Sequence, residues 1–298
     1  MQKLPLVNII GAGRVGQTLA HLLYNKKLAT IQNVYCRTQA HAKAACHFIG
    51  SGQAIHDLDQ TRSANIYLLT VPDAYIKTTC EKLTLSQSIR FKNSTIIHCS
   101  GALSAEETLM SAQLRGAHIA SAHPVLSFSS PEQAILNYPG TLCGIEGSPV
   151  ATEKLTQLFS ALGASPFEIS STNKSLYHAA CVLSNNYTYV LSHLASQLLE
   201  HAGLATDFAK QISLTMIESA LNNLQTLSPQ QALTGPIARA EHSTINNHQQ
   251  AIAEIKNTEV AALYQKLGEY CVNHLTSHTL DIKAELIKQL TPKKSNNK

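Results

Sequence analysis

The chain has 298 residues, 44% hydrophobic and 14% charged, a composition that excludes disorder and leaves room for two domains. No apolar run reaches membrane-helix length, and the formal charge of +4 falls to +1 without Lys293, Lys294 and Lys298 near the end, so neither a membrane span nor a nucleic-acid surface is expected. The seven cysteines (36, 46, 80, 99, 143, 181 and 271) are odd in number and lack a C-x-x-C pair, which fits reduced thiols, and the fourteen histidines lack zincin spacing, so no metal is expected.

The first residues run into an apolar strand, Leu6 to Ile10, rather than into the charged and apolar regions of a secretory leader, and a cytoplasmic location is the expectation. Gly11-Ala12-Gly13-Arg14-Val15-Gly16 follows, then a helix through Leu19, Ala20, Leu22 and Leu23. Asn33 to Cys36 is read as a strand and Ala40 to Phe48 as a helix. Buried strands are read at Ile66 to Val71 and Thr95 to Cys99, and shorter ones at Ile119 to Ala122, Thr141 to Ile145 and Pro166 to Ile169. A helix over Ala151 to Leu162 precedes the last of these and is stopped by Gly163. This alternation predicts an α/β domain with a doubly wound, mostly parallel sheet.

After Ser170-Ser171-Thr172 the strands stop. Lys174 to His201 reads as one long helix, followed by helices over Asp207 to Leu224, Ser243 to Lys256 and Glu259 to Leu290, the last broken near Ser277. The expected organisation is a dinucleotide-binding Rossmann domain over 1–170, an all-α domain over 171–290 and a frayed tail over 291–298.

The G-x-G-x-x-G stretch gains meaning from its place between a first strand and a first helix. Gly11 permits the tight turn, Gly13 lets backbone approach a pyrophosphate, and Gly16 lets helix pack on strand. Arg14 and Val15 sit at the helix N-terminus, whose N–H groups and dipole favour phosphate. An NAD site usually ends its second strand on an acid. Here that strand runs into Arg37 and Thr38, with Arg37 twenty-one residues after Gly16, a pair suited to a 2′-phosphate. NADP(H) is the expected cofactor. Val71-Pro72 and Ser100-Gly101 end two later strands and are placed at the ligand crevice, Val71 and Pro72 on the cofactor and Ser100 and Gly101 toward the substrate. His123 ends a further short strand and is a candidate for the same crevice.

On the first long helix, Leu176, Tyr177, Ala180, Leu183, Ser184, Tyr187, Val190 and Leu191 recur at three- and four-residue steps and predict a wide apolar face. Lys174, His178, Cys181 and Asn185 line the opposite face, offering ammonium, imidazole, thiol and amide over three turns. Further on, Thr234-Gly235-Pro236 makes a rigid turn ahead of Arg239, which can clamp a carboxylate, and Ser243 or Thr244 can cap the helix carrying His248. Gly235, Arg239, Thr244 and His248 are therefore substrate-site candidates.

GAGRVG at 11–16, TVPD at 70–73, HCSGAL at 98–103, SAHP at 121–124, KSLYHAACVLSNN at 174–186 and LTGPIAR at 233–239 together resemble Rossmann-like oxidoreductases with a C-terminal helical domain of formerly unknown function. These are relatives of pyrroline-5-carboxylate reductase and of deazaflavin-linked NADP reductases. Some members are an alternative type of ketopantoate reductase. The resemblance implies NADPH, a cytoplasmic enzyme and a homodimer built through the helical domain. In the wider 6-phosphogluconate dehydrogenase-like superfamily, a Lys opening the second domain's first helix is the catalytic acid, with an Asn one turn later. Lys174 matches that Lys and His178 stands in the place of the Asn, which leaves the proton donor open between them. The family's Gly-Asp after the G-P-x-x-R arginine is here Ala240-Glu241. The expected activity is NADPH-dependent reduction of a 2-oxoacid, 2-dehydropantoate first, with Lys174, His178 and Asn185 catalytic and Arg239 on the carboxylate. Two alternatives stand beside it, a reductase of another carbonyl or a cyclic imine and a dinucleotide-binding sensor without chemistry.

Overall fold

A computed structural model describes residues 3–291. The tail expected over 291–298 lies, apart from Thr291, outside them. Eight strands form one sheet: β1 (Leu6–Ile10), β2 (Thr30–Tyr35), β3 (Gln53–Ile55), β4 (Ile66–Leu69), β5 (Thr95–His98), β6 (His118–Pro124), β7 (Leu142–Gly147) and β8 (Ser165–Glu168). Their order is β3-β2-β1-β4-β5-β6-β7-β8, parallel throughout except where β6 meets β7. The chain reverses its direction of winding between β1 and β4, which opens a crevice at the carboxyl ends of those strands.

The helices joining these strands are α1 (Arg14–Asn25), α2 (Gln39–Ile49), α3 (Asp73–Leu85), α4 (Ala105–Leu114), α5 (Pro131–Asn137) and α6 (Pro149–Leu162). Period-2 side chains divide the sheet's two faces. Val7, Ile9, Leu68 and Ile97 pack with Leu19, Leu22, Leu155 and Phe159 of α1 and α6. Ile10, Tyr67, Leu69 and Ile96 pack with Ile76, Leu83 and Leu109 of α3 and α4. At the sheet's centre Asn8 is wholly buried, and its Oδ1 accepts from the Asn33 amide at 3.1 Å where the β1–β2 register shifts. That side chain satisfies an amide the irregular ladder would strand.

The α/β and mostly parallel reading holds. The strand β3 and the helices α3, α4 and α5 escape the sequence reading, since α3 and α4 have weakly amphipathic patterns.

Two helices, α7 (Lys174–Ser184) and α8 (Asn186–His201), replace the single helix expected over Lys174 to His201. The break falls at Asn185, whose φ of −109° and ψ of −64° distort the helical backbone. The chain divides into compact units over residues 1–185 and 186–298, so α7 belongs with the sheet although the strands end at Glu168.

The second unit continues with α9 (Thr206–Leu224), α10 (Pro229–Ala232), α11 (His242–Glu254), α12 (Thr258–His274) and α13 (Leu280–Leu290). The expected break near Ser277 is the loop between α12 and α13. Ile245, Val272, Leu286 and Leu290 form this unit's core. Gly268 lets α13 approach α12, because a β-carbon there would come within 2.9 Å of Leu290.

Candidate active site

The glycine turn shapes the crevice at the ends of β1 and β4. Gly11 has φ +93°, and a β-carbon on it would meet the Val71 side chain at 2.6 Å. Gly16 lies as close to the Gly11 carbonyl, 2.6 Å from a built β-carbon, while Gly13 has nothing within 4 Å and faces open space. The Thr70 hydroxyl bonds the Gly11 carbonyl and ties the turn to β4. A groove of about 950 Å³ follows, lined by Gly11, Gly13, Arg14, Val15, Arg37, Val71 and Pro72. His41 on α2 and Tyr75 and Lys82 on α3 also line it; none was singled out from sequence, the last two because α3 was not recognised. Thr38 is placed differently from expectation: its hydroxyl caps α2, accepting from the His41 amide at 3.3 Å.

Beyond β4, the turn after β5 is tightly bonded. The Ser100 hydroxyl donates to Asp73 at 2.7 Å and accepts from the Leu103 amide at 3.0 Å, and the Ser100 amide donates to His98 Nδ1 at 3.1 Å. Lys174, the first residue of α7, is 1% exposed and reaches under this turn. Its Nζ donates to the Ser100 carbonyl at 2.9 Å, to Glu146 Oε1 at 3.2 Å and to the Ser121 hydroxyl. Three donors therefore meet three acceptors. Glu146 in turn accepts from Ser121 at 2.6 Å, the Ala105 amide at 2.9 Å and Ser171 at 3.1 Å. Burial lowers the Lys174 pKa against the pull of Glu146. Burial alone would raise Glu146, but the Ser121 hydroxyl, the Lys174 charge and the Ala105 amide together hold it below the ordinary carboxylate value. Glu146 was not singled out from sequence, though an acid inside the apolar strand β7 was a usable signal.

Two imidazoles crown the same turn. A β-carbon on Gly101 would lie 2.7 Å from His178 and 2.9 Å from His123 Nε2. The two rings meet edge to face with centroids 5.9 Å apart. His123 Nδ1 is 2.9 Å from the Tyr177 hydroxyl. Burial, with His178 and Lys174 nearby, pushes the His123 pKa down to about 4, and burial does the same to His98.

The line Lys174, His178 and Cys181 is thus brought to the sheet, and the wide apolar face of the helix is left exposed. Lys174 is buried and His178 and Cys181 half-buried, whereas Leu176 is 75% and Leu183 62% exposed. The physical reason is the polar pocket of Glu146, Ser121 and the Ser100 carbonyl, which only the ammonium can fill. Asn185 is exposed at the end of α7, its amide on the Cys181 carbonyl.

The remaining candidates lie in the second unit. Arg239 is exposed, with Nε 2.6 Å from Glu241 Oε1. Glu241 is the N-cap of α11, so Ser243 and Thr244 sit inside its first turn rather than capping it. Gly235 takes φ +93° at the expected turn, and Ala240 takes φ +51°. His248 Nδ1 is 2.9 Å from the Tyr264 hydroxyl and, with His201, lines a groove of about 580 Å³. Among the described residues no helix is long and apolar enough to cross a membrane.

No curated protein matches the chain. In solved structures, a candidate NADP oxidoreductase from Bacteroides fragilis aligns over 89% of this chain and 96% of its own, with 23% identity and a TM-score of 0.73. A Thermotoga maritima protein aligns over 95% and 98%, with 22% identity and a TM-score of 0.67. A reductive aminase from Aspergillus terreus, in complex with NADPH and ethyl-5-oxohexanoate, aligns over 97% and 100%, with 17% identity and a TM-score of 0.67. Residues 2–124 match the Rossmann-like domain family and residues 141–271 a domain of unknown function, DUF2520, which begins at β7 and so includes the last two strands of the sheet. The chain thus joins a stretch matched by the Rossmann-like domain model to one matched by the DUF2520 model, and it shares its fold with these solved structures.

Proposed function

We propose that the chain is an NADP(H)-dependent reductase of a small carbonyl compound, with 2-dehydropantoate (ketopantoate) the first substrate to test. The observation that carries this reading is the juxtaposition, at the carboxyl edge of one sheet, of a glycine-cradled groove and a turn crowned by His123 and His178. The cradle fits a dinucleotide, because Gly11 leaves room for the close turn and Gly13 presents bare backbone at the start of α1. Gly11 to Gly16 would hold the pyrophosphate, and Arg37, with His41 and Lys82 along the same groove, the 2′-phosphate. NADPH, when bound, supplies the hydride.

The chain's own residues supply position and charge. His178 at the rim of the turn is the proposed proton donor to the oxygen of the reduced carbonyl. Lys174 serves beneath it, since each of its protons already has an acceptor. It fixes the Ser100 carbonyl and thereby Gly101. Asn185 is the proposed orienting amide, and in the second unit Arg239, with Gly235, Thr244 and His248, is proposed from the resemblance alone as a carboxylate-binding group. The likeness to the NADPH-bound reductive aminase motivates a second reading, reduction of a cyclic imine.

The test is consumption of NADPH by purified protein with ketopantoate, other 2-oxoacids and cyclic imines. Turnover highest with ketopantoate is expected. A preference for imines would replace the substrate, and tight NADPH binding with no consumption by any compound would leave a sensor.

A further inference from the structure

We infer that Tyr177 is a positioning residue that holds His123 as the Nε2–H tautomer, so that His123 donates an uncharged hydrogen bond to the substrate's carbonyl oxygen. The inference deepens the reading above and rests on it for the identity of the acceptor. Tyr177 lies on α7 beside Lys174 and His178, and the expected apolar face of that helix had absorbed it. Its ring is wedged edge to face between His123, at 5.6 Å, and Phe167, at 6.2 Å. Its hydroxyl is 2.9 Å from His123 Nδ1.

A phenol donating into Nδ1 requires the ring proton to sit on Nε2. Nε2 is the atom that overhangs Gly101, 2.9 Å from where a β-carbon would stand, so the proton points over the surface that only a glycine leaves clear. The titratable groups around His123 are Tyr177, His178, Lys174 and Asp73. Burial, with the Cys181 thiol beside it, raises the Tyr177 pKa, so the phenol keeps the proton it would donate to Nδ1. Burial and the neighbouring His178 and Lys174 disfavour imidazolium at His123, whose pKa of about 4 leaves the ring neutral at pH 7. A neutral N–H stabilises negative charge on the oxygen and keeps its own proton, which leaves proton delivery to His178.

Full-length protein labelled with ¹⁵N in its histidines tests the tautomer directly. His123 signals are identified by their loss in His123→Gln. At pH 7 the wild type is expected to show hydrogen on Nε2 and a hydrogen-bonded, unprotonated Nδ1, and Tyr177→Phe a mixture of tautomers. Hydrogen on Nδ1, an imidazolium, or an unchanged tautomer in Tyr177→Phe overturns the inference. This readout needs neither cofactor nor substrate, so it stands if no compound consumes NADPH. With an active substrate, Tyr177→Phe is expected to lower kcat roughly tenfold at little change in KM. His123→Ala should lose about a hundredfold, and His123→Gln, whose amide nitrogen reaches the position of Nε2, markedly less. Unaltered kcat in Tyr177→Phe denies the dyad a part in turnover.

Discussion

Gly101 shows how little space one residue can leave. His123 and His178 both approach it more closely than a β-carbon permits. Gly101→Ala should displace one ring and cost about 1–3 kcal/mol, read as a lower urea midpoint together with shifted histidine signals. Ala240 is the opposite case, a side chain held at φ +51°, where glycine would sit without strain. Ala240→Gly should be neutral or stabilising, while Ala240→Val, β-branched at positive φ, should lose at least about 2 kcal/mol in the same measurement. His98 is wholly buried with a pKa of about 4, below the ordinary imidazole value near 6.5. Between those values the unfolded chain binds a proton that the folded one refuses, so stability is complete above about pH 6.5 and falls with acidification toward about pH 4. By pH 5 the loss is on the order of 2 kcal/mol, and His98→Asn, which keeps an acceptor near Nδ1, should make the melting profile between pH 7 and 5 shallower, His123 supplying the slope that is left.

The decisive element is α7. Its sequence divides cleanly into an apolar and a polar face, but the pattern does not say which one the sheet will accept. Glu146 decides it, because a carboxylate buried on β7 requires a cation and Lys174 is placed to reach it. Lys174→Met should cost about 3–5 kcal/mol, since Glu146 is left charged and unpaired, whereas Lys174→Met combined with Glu146→Gln should recover most of the loss by calorimetry. The depressed Glu146 pKa carries the matching sign: its contribution is present above the ordinary carboxylate range and lost as pH falls through the folded value. A single change that costs as much as the pair would show that packing of the lysine stem, rather than charge, holds the helix.

At the scale of the whole molecule, α8 of the second unit leaves Tyr187, Val190 and Leu191 exposed, apolar surface of the kind that a partner covers. A homodimer covering this face is the proposed state. Sedimentation of the chain is expected to give a dimer, and Tyr187→Glu with Leu191→Glu a monomer. In the groove, Arg37→Ala should weaken NADPH binding about ten- to a hundredfold and NADH binding far less, by fluorescence titration. Equal losses would remove Arg37 from the 2′-phosphate.

The α/β class, seven of the eight strands, the glycine turn and the helical second half were all legible along the chain, because periodicity and turn chemistry are local properties. So were Lys174, His178 and His123 as residues of interest. Their arrangement was not. Glu146, Ser121 and Tyr177 meet Lys174 and His123 across 28 to 54 positions of sequence. Such pairings depend on which strands neighbour each other and which way a helix rolls, and both are settled by burying charge and apolar surface together in three dimensions. The residues could be read in order; the tertiary structure placed the amine expected to be catalytic as a buried anchor and brought two imidazoles onto one glycine.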